Sequence, residues 1–382
     1  MKFVHMGDCH LGGWRQPELS KLNFESFQQA IKTAITEKAN FILIAGDLFD
    51  SAYPSLEILK ETFNEFRKIK EAKIPVFLIA GSHDYSVSGK TFLDVLEKAG
   101  FVKNVFIPEE RNGAIILQPT IFEKVAIYGY PGKKSGLEVP EISKLKIEDA
   151  PGFFKILMLH TTLKDAIGSL PIPGVDHKDL PKVDYLALAH LHINYNKEGR
   201  VYCGPTFPNN LEELEELQGG SFYIVNIPGE IQKREIKIKE ILTINLEINN
   251  SLEATDKIIS ELKNKILKNK IIILKLKGIL DIGKPSDIDF HKIENYIKNQ
   301  EAYVFLKSTT KLKIKETEIK LELKSNNLEE EIIKKFQEEN PNELNKFIPE
   351  LMNSLELEKK EDERSKIFEE RLFEDIKKIL EI

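Results

Sequence analysis

The chain carries near its start a stretch that decides its fold, FVHMGDCH at residues 3–10. The apolar run at residues 3–6 predicts a buried strand, and Asp8 and His10 follow it at once. In open α/β sheets, ligands bind at the edge where strands give way to loops. The stretch therefore predicts a strand that carries two polar groups to a binding edge.

Four further stretches repeat this arrangement of an apolar run followed by polar side chains. The runs span residues 41–45, 76–80, 156–159 and 185–189. Each predicts another buried strand that ends in chemically active groups. The residues that follow the four runs include Asp47, Asp50, Ser82, His83, Asp84, His160, His190 and His192.

The spacing within the motifs suggests how the groups are presented. Side chains two apart on an extended segment point to the same side. We therefore expect Asp8 with His10, and His190 with His192, each to present two groups to one site. A single histidine at a strand end is more often a hydrogen-bonded polar residue than a ligand. Five such motifs in one chain favour a shared metal site.

Two carboxylates and four imidazoles that converge without a counter-charge would cost several kcal/mol per buried ion. A bound metal removes that cost, and mixed carboxylate and imidazole ligands suit manganese, with iron, zinc or magnesium as alternatives. Two ions about 3.5–4 Å apart that share one carboxylate would use all these groups and promote displacement at phosphorus. Gly46 and Gly81 precede two motifs and let the backbone approach an ion or a phosphate. The sequence predicts a two-metal phosphoesterase.

The order Asp-x-His, Gly-Asp-x-x-Asp, Gly-x-His-Asp, His, His-x-His resembles the calcineurin-like metallophosphoesterase superfamily. Within it, residues 3–12, 46–50 and 184–192 look like the SbcD-type nucleases of DNA double-strand-break repair. The motif match covers roughly the first 205 residues. The resemblance implies an α/β fold: a four-layer β-sandwich flanked by helices, a small α+β cap domain and a helical C-terminal tail.

The resemblance also implies a role for each motif residue. Asp47 is shared between two divalent ions, most simply Mn²⁺, and water activated by the ions attacks the phosphate. His83 protonates the leaving oxygen or places the scissile phosphate, and Asp84 orients its imidazole. The other implied ligands are Asp8, His10 and His192 for one ion, and Ser82, His160 and His190 for the second.

Two positions depart from the family pattern. Ser82 stands where the family usually has asparagine, so a shorter hydroxyl replaces an amide oxygen and we expect the second ion to bind more weakly. Asp50 stands where close relatives often have histidine, which brings a negative charge near an anionic substrate unless the carboxylate is paired. These departures motivate a rival hypothesis, a catalytically weakened scaffold that binds DNA ends.

Composition limits the setting in which the protein works. The chain has 382 residues, enough for two or three domains, and its two cysteines, Cys9 and Cys203, cannot form a disulfide framework. We expect both to be packing residues. Neither a leader segment nor an apolar run long enough to span a bilayer is evident, so we expect a soluble, cytoplasmic protein that does not contact membranes.

Three regions are predicted: a metallophosphoesterase nuclease domain at residues 1–238, a DNA-binding cap at 239–325 and a helical tail at 326–382. The net charge is −6, but residues 257–324 contain 16 Lys against 9 acidic residues. This basic segment is the candidate DNA face, and a solvated lysine surface is the alternative. Residues 327–382 contain 10 basic and 17 acidic residues.

Apolar stripes at helical spacing predict further contacts. Two stripes in the tail are interpreted either as core or as a docking surface. The resemblance implies that the partner is a coiled-coil ABC-type ATPase of the SbcC type. By analogy, Leu56 with Leu59, and Phe92 with Val95 and Leu96, are candidate surfaces of a homodimer. The tail stripes consist of Leu344, Phe347, Ile348, Leu351, Met352 and Leu355, and of Phe368, Leu372, Ile376, Ile379 and Leu380.

The leading hypothesis is a manganese-dependent DNA exo- and endonuclease that works with this ATPase. A phosphodiesterase for small substrates also fits the motifs but leaves the cap and the tail unexplained. Elements outside the motifs are predicted as well. They are helices at 25–38, 56–70 and 258–267, strands at 125–130, 221–227, 242–248, 271–276, 303–306 and 319–323, and a loop at 168–181.

Overall fold

The computed structural model describes residues 1–86, 91–111, 113–168, 171–315, 333–334, 336–338, 341–355, 357 and 365–380. The chain divides into two compact units, residues 1–314 and 315–382. Across the described residues, every helix is too short or too polar to cross a lipid bilayer.

The first unit alternates strands with helices. Its strands, in chain order, are β1 (Lys2–Met6), β2 (Phe41–Ile44), β3 (Val76–Leu78), β4 (Lys103–Asn104), β5 (Pro108–Arg111), β6 (Ala114–Leu117), β7 (Thr120–Phe122), β8 (Val125–Tyr130), β9 (Lys146–Ile147), β10 (Phe154–His160), β11 (Tyr185–Ala189), β12 (Asn194–Lys197), β13 (Arg200–Cys203), β14 (Gly220–Asn226), β15 (Glu230–Ile236), β16 (Ile241–Glu247), β17 (Ile271–Leu280) and β18 (Val304–Ile314). Its α-helices are α1 (Pro17–Thr36), α2 (Leu56–Glu71), α3 (Phe92–Lys98), α4 (Val139–Ile142), α5 (Lys164–Ile167), α6 (Leu211–Leu217), α7 (Ser251–Lys263) and α8 (Phe290–Asn299). Short 3-10 turns span Lys134–Gly136, His177–Asp179 and Pro285–Asp287.

Two six-stranded sheets form the centre of the fold. Their strand orders are β15-β14-β1-β2-β3-β4 and β12-β13-β11-β10-β8-β7. Phe3 and Phe41 of the first sheet and Ile156 and Tyr185 of the second belong to one buried core between the sheets. On the outer face of the first sheet, Val4 and its neighbours pack against α1, α2 and α3. The predicted sandwich flanked by helices is confirmed.

Parallel pairing brings the motifs to a common edge. β1 runs parallel to β2, which runs parallel to β3, and β10 runs parallel to β11. Because parallel strands end on the same side of a sheet, the loops after them converge. His160 lies opposite Ala189, directly before His190. An isolated bridge between Leu11 and Phe49 ties the first two motif loops together.

The region after residue 240 is a three-stranded parallel sheet, in the order β16-β17-β18, with α7 and α8 packed on one face. The other face meets the sandwich through a second buried core, so this region and the sandwich belong to one compact unit. The predicted limits at 238 and 325 stay predictions, and we call residues 241–314 the cap below. The buried residues of that core are Leu19, Leu22, Phe207, Leu214, Ile241, Ile271, Ile273 and Leu306.

The second unit contains the two predicted apolar stripes. A 3-10 turn at Glu343–Phe347 leads into a helix at Ile348–Leu355, and another helix spans Ser365–Leu380. Leu344 and Leu355 are exposed on the first segment. Phe368 and the other members of the second stripe are half-buried. Neither stripe is therefore fully covered.

Several sequence predictions change in detail. The helix predicted at 25–38 begins earlier, at Pro17, because a proline suits the first helical turn and Leu19 and Leu22 continue the apolar stripe. Residues 168–181 include the turn His177–Asp179 in their described part, and residues 319–323 lie outside the described residues.

Two of the proposed dimer residues are core residues instead. Leu59 and Leu96 are buried beneath α2 and α3, whereas Leu56 and Val95 are exposed. Apolar residues at i and i+3 share a broad helix face, and spacing alone does not show how far the buried stripe extends across that face. Cys9 and Cys203 are free and buried, as predicted.

Candidate metal centre

The motif loops have an unusual backbone. Positive φ angles, between 43° and 104°, occur at Asp8, His10, Asp47, His190 and His192. The extended geometry predicted from the two-residue spacing is therefore wrong at these positions. Non-glycine residues in this region cost of order 1–3 kcal/mol each and cluster at functional sites. The strain turns the side chains inward from loops, so alternation along a strand does not apply.

Three groups of possible ligands meet at this edge. In each group, one ligand atom per residue lies within 4.8 Å of the others. Asp8 belongs to two groups and His10 to two, so the groups form one continuous cluster. They consist of Asp8, His10 and His192; of Asp8, Asp47 and His160; and of His10, Asp50 and His83.

His10 and His192 face each other with the same ring atom. Their Nε2 atoms are 3.0 Å apart. His10 Nδ1 lies 3.1 Å from Asp50 Oδ1, and His192 Nδ1 lies 2.9 Å from Glu213 Oε1. A carboxylate can only accept, so each Nδ1 carries a hydrogen, and each ring, when it is not protonated a second time, presents a lone pair at Nε2. Two lone pairs at this distance repel unless a cation or a proton lies at them.

His160 repeats the arrangement on the other side of the cluster. Its Nδ1–H donates to the carbonyl oxygen of Ala45 at 3.0 Å, which leaves Nε2 to point inward. Nε2 is buried and makes no hydrogen bond among the described residues, although Asp47 Oδ2 is only 3.2 Å away. A buried, unsatisfied ring nitrogen beside a carboxylate fits a divalent cation. The donor set therefore suits a metal.

Asp47 lies between His10 and His160. Its Oδ2 is 3.7 Å from His10 Nε2, and its Oδ1 accepts a hydrogen bond from the His83 backbone N–H at 2.8 Å. Burial alone would raise the pKa of Asp47, but the charges of His160 and His10 outweigh it and hold the pKa well below its usual range. The Ser82 hydroxyl donates to Asp47 Oδ2 at 3.3 Å, so it lies beside the cluster.

His190 belongs to none of the three ligand groups. Its ring lies 5.0 Å from the ring of His160, and its backbone N–H donates to both carboxylate oxygens of Asp8, at 3.0 and 2.9 Å. Burial and the charge of His160 lower the pKa of His190. Of the two imidazoles of the His-x-His motif, that of His192 joins Asp8 and His10, whereas that of His190 lies beside the ring of His160.

The role expected for Asp84 is corrected. Its buried carboxylate accepts hydrogen bonds from the backbone N–H groups of Leu48, Phe49 and Gly81, at 3.2, 3.1 and 3.0 Å. Burial, with the charge of Asp47, raises the pKa of Asp84 to about 6. Asp84 therefore connects the second and third motif loops through hydrogen bonds and does not orient the His83 ring directly.

Asp50 takes over the contact with His83. His83 Nδ1 donates to the carbonyl oxygen of Asp50 at 2.9 Å and lies 3.5 Å from its Oδ1. Burial would raise the pKa of Asp50, but the hydrogen bond and charge of His10 lower it. The Asp50 carboxylate is therefore paired with His10 and His83 and is not an unpaired negative charge near the substrate.

Both motif glycines stand where a side chain would collide with the cluster. A Cβ at Gly46 would lie 2.4 Å from His160 Nδ1, and a Cβ at Gly81 would lie 2.1 Å from Asp47 Oδ1. Gly46 also has a φ of 101°. The predicted close approach of the backbone at both positions is present.

A cavity of about 750 Å³ opens beside the cluster. His83, whose side chain is 45% exposed, lies in its wall together with Asp50 and Ser82. Tyr53, Tyr85 and Lys134 also line it. The cavity brings aromatic rings and a cation next to the motif loops.

Glu213 is a site residue that the sequence did not reveal. It comes from α6, whose sequence LEELEEL is typical of a solvated charged helix, and it contacts His192. Only the folded chain brings it to the cluster, 21 residues after His192. No spacing signal distinguishes Glu213 from the other glutamates of the helix.

Comparison with known proteins agrees with this site. Residues 1–194 match the family described as calcineurin-like phosphoesterase, which covers half of the chain. The chain belongs to this family. It is therefore a metal-dependent phosphoesterase, and the predicted superfamily is confirmed.

Relatives of this phosphoesterase include archaeal proteins named DNA double-strand break repair protein Mre11. The Methanosarcina mazei protein is 28% identical over 360 residues, which cover 87% of this chain but 52% of that protein. The Methanocaldococcus jannaschii protein is 28% identical, over 77% of this chain and 87% of its own length. The Sulfurisphaera tokodaii protein is 28% identical over 87% of both chains. The likeness thus extends past the family domain into the cap.

Proposed function

We propose that this phosphoesterase is a two-metal, manganese-dependent DNA exo- and endonuclease that processes ends in double-strand-break repair. The observation that carries the proposal is the pair of Nε2 atoms, on His10 and His192, that face each other beside two buried aspartates. The names of the relatives supply DNA ends as the substrate. A DNA substrate also agrees with the cytoplasmic location that the sequence predicts.

Asp8, His10, Asp47 and His192 hold one ion in this proposal, and Asp47, Ser82, His160 and His190 hold the other. When bound, the ions lower the pKa of water and offset the charge of the phosphate. Asp47 is placed to serve both, because its Oδ2 is close to Nε2 of both His10 and His160. The hydrogen bond from the Ser82 hydroxyl keeps that residue beside Asp47.

His83 is the proton donor in the proposed reaction. Its Nδ1 is occupied by the Asp50 carbonyl, so Nε2 is the atom that can protonate the leaving 3′ oxygen. Its exposure at the cavity gives the substrate access to the ring. Asp84 supports this geometry through the loop backbone and does not touch the substrate.

The cap offers a basic face for the DNA backbone. Lys277 of β17 pairs in register with Lys311 of β18, and Lys313 follows two residues later, opposite Ile279. All three lysines are exposed, and among the described residues none has an acidic partner. Adjacent like charges repel, and phosphate groups relieve that repulsion. By contrast, Lys275 on the same strand is paired with Glu215.

Two protein contacts complete the proposal. The exposed Leu56 and Val95 contribute to a homodimer. The partly covered stripes of the C-terminal helices bind a coiled-coil ABC-type ATPase of the SbcC type. Size measurement by light scattering tests the dimer, and co-purification with and without residues 341–382 tests the ATPase contact.

A nuclease assay on linear duplex DNA with Mn²⁺ tests the activity. The variants are His83→Ala and, as a control, His177→Ala, which removes a histidine that belongs to none of the five motifs. We expect cleavage by wild type and His177→Ala, and a loss of about 10²–10⁴-fold in His83→Ala. Equal activity in all three contradicts the role of His83. No cleavage by wild type, with retained DNA binding, favours the scaffold, and cleavage of small phosphodiesters alone favours a small substrate.

A further inference from the structure

Helix α6 lies between the cap and the metal centre and contacts both. On one side Glu213 meets His192, with 2.9 Å between Oε1 and Nδ1. On the other side Glu215 forms an ion pair with Lys275 of β17 in the cap. Leu214, between them in sequence, is fully buried in the core that joins the cap to the sandwich. Three consecutive residues therefore connect the two regions.

The Glu213 carboxylate is held from several directions. Oε2 accepts from the backbone N–H of Asn209 at 2.8 Å, and Oε1 accepts from the Asn210 amide at 2.6 Å. Asn210 also caps the helix by accepting from the Glu213 backbone N–H at 2.9 Å. With three contacts to its carboxylate, including the one from His192, this side chain has little freedom to move relative to α6.

The segment before α6 reaches the same site. Asn209 Nδ2 donates to Asp50 Oδ1 at 3.4 Å, and the carbonyl oxygen of Pro208 accepts from Trp14 Nε1 at 2.8 Å. Asp50 is in turn the partner of His10 Nδ1. The outward-facing nitrogens of both facing histidines are thus tied, directly or through Asp50, to the chain at residues 208–213.

We propose that Glu213 is a positioning residue that fixes the tautomer and ring orientation of His192, and that α6 makes the metal centre sensitive to the position of the cap. A histidine ligand is most effective when its second nitrogen donates to a fixed carboxylate, and loss of such a partner typically costs 10–100-fold in metal affinity. A shift of β17 moves Glu215, and the short helix, anchored by the buried Leu214, passes the shift to Glu213. This inference rests on the proposed metal site.

Titration calorimetry with Mn²⁺ tests the positioning role. Glu213→Ala should weaken one of two binding events about 10–100-fold. Glu213→Gln should restore part of the affinity, because its amide oxygen accepts the same hydrogen bond from Nδ1. Glu216→Ala, at an exposed position of the same helix, should bind as wild type. Unchanged binding in Glu213→Ala overturns the inference, as does a Gln variant no better than Ala.

A second pair of variants tests the link to the cap. Lys275→Ala should weaken the same binding event several-fold, although Lys275 belongs to the cap and has its ion pair with Glu215. Lys270→Ala is the matched control, since it breaks an ion pair with Glu240 beside the same strand without touching α6. Wild-type affinity in Lys275→Ala overturns the coupling. If wild type itself binds no Mn²⁺, the proposed function fails instead, and the two failures are distinguishable.

Discussion

His10 and His192 face one another with Nε2 atoms 3.0 Å apart, although 182 residues separate them in the chain. Each ring is held from behind by a carboxylate, which fixes the hydrogen on Nδ1. Such preorganisation has an energetic cost in the absence of a cation, because lone pairs and buried carboxylates converge. Binding of a cation at this edge is therefore energetically favourable.

Gly81→Ala should disable the site. The added Cβ would lie 2.1 Å from Asp47 Oδ1, a distance that forces the shared carboxylate to move. We expect the nuclease rate to fall by two orders of magnitude or more, since small misplacements of reacting groups have effects of that size. Gly113→Ala, where φ is +75° but a Cβ meets nothing within 4 Å, is the control for backbone strain without a clash. Near-normal rates in Gly81→Ala would show that nuclease activity does not depend on the observed position of the Asp47 carboxylate.

Ser82→Asn should tighten the second ion. The Ser82 hydroxyl is short and already donates to Asp47 at 3.3 Å, whereas an amide oxygen reaches further and is a better ligand for a divalent cation. Titration calorimetry should show stronger binding at the weaker of the two sites, and Ser82→Ala should weaken it or leave it unchanged. Identical binding in wild type and the asparagine variant would count against a ligand role for position 82.

Lys277→Ala combined with Lys311→Ala should weaken DNA binding without regard to sequence. The two exposed lysines are neighbours in register and have no acidic partner among the described residues. For every phosphate that a lysine no longer neutralises, the slope of log K against log salt should become shallower by about 0.9. Fluorescence anisotropy at several salt concentrations measures this slope. Lys268→Ala, whose ammonium is paired with Glu301, is the control, and an unaltered slope in the double variant would exclude this face.

His5 should make the metal-free protein sensitive to acid. Burial lowers the pKa of His5 to about 3, and its Nδ1 lies 2.9 Å from the Tyr185 hydroxyl. Because the folded state keeps the ring neutral while the unfolded chain binds a proton near pH 6.5, stability falls as pH drops through that value. From pH 7 to 5, wild type should lose about 2 kcal/mol more than His5→Gln.

Urea unfolding at the two pH values, in the presence of a chelator, measures this loss. Tyr185→Phe removes the hydrogen bond but not the burial, so it should keep the wild-type dependence on pH. If His5→Gln and wild type lose the same stability between pH 7 and 5, the buried ring does not stay neutral.

The sequence predicts much of the convergence of polar residues because strand ends are local features. An apolar run followed by Asp8 and His10 predicts both the strand and the polar groups at its end. Parallel pairing then determines which strand ends lie close together. The sequence does not predict the backbone at those residues. Asp8 and His10 have positive φ, so the argument from extended alternation correctly predicts that the two share a site but from a backbone geometry that the structure does not have.

Contacts that depend on tertiary packing are also missed. Glu213 lies in a run of glutamates, and only the packing of α6 against the cap distinguishes it from Glu212 and Glu216. The assignment of Asp84 to the His83 ring fails for a related reason. The buried Asp84 carboxylate accepts hydrogen bonds from backbone N–H groups of another loop, a contact that the sequence does not indicate.

Diffraction from crystals of the intact protein grown with excess Mn²⁺, recorded at the manganese absorption edge, tests the central claim most directly. The account predicts two anomalous peaks, one near the Nε2 atoms of His10 and His192 and one near Nε2 of His160, with Asp47 in reach of both. The absence of anomalous peaks at these positions, with the Nε2 atoms of His10 and His192 still facing each other, would contradict the account.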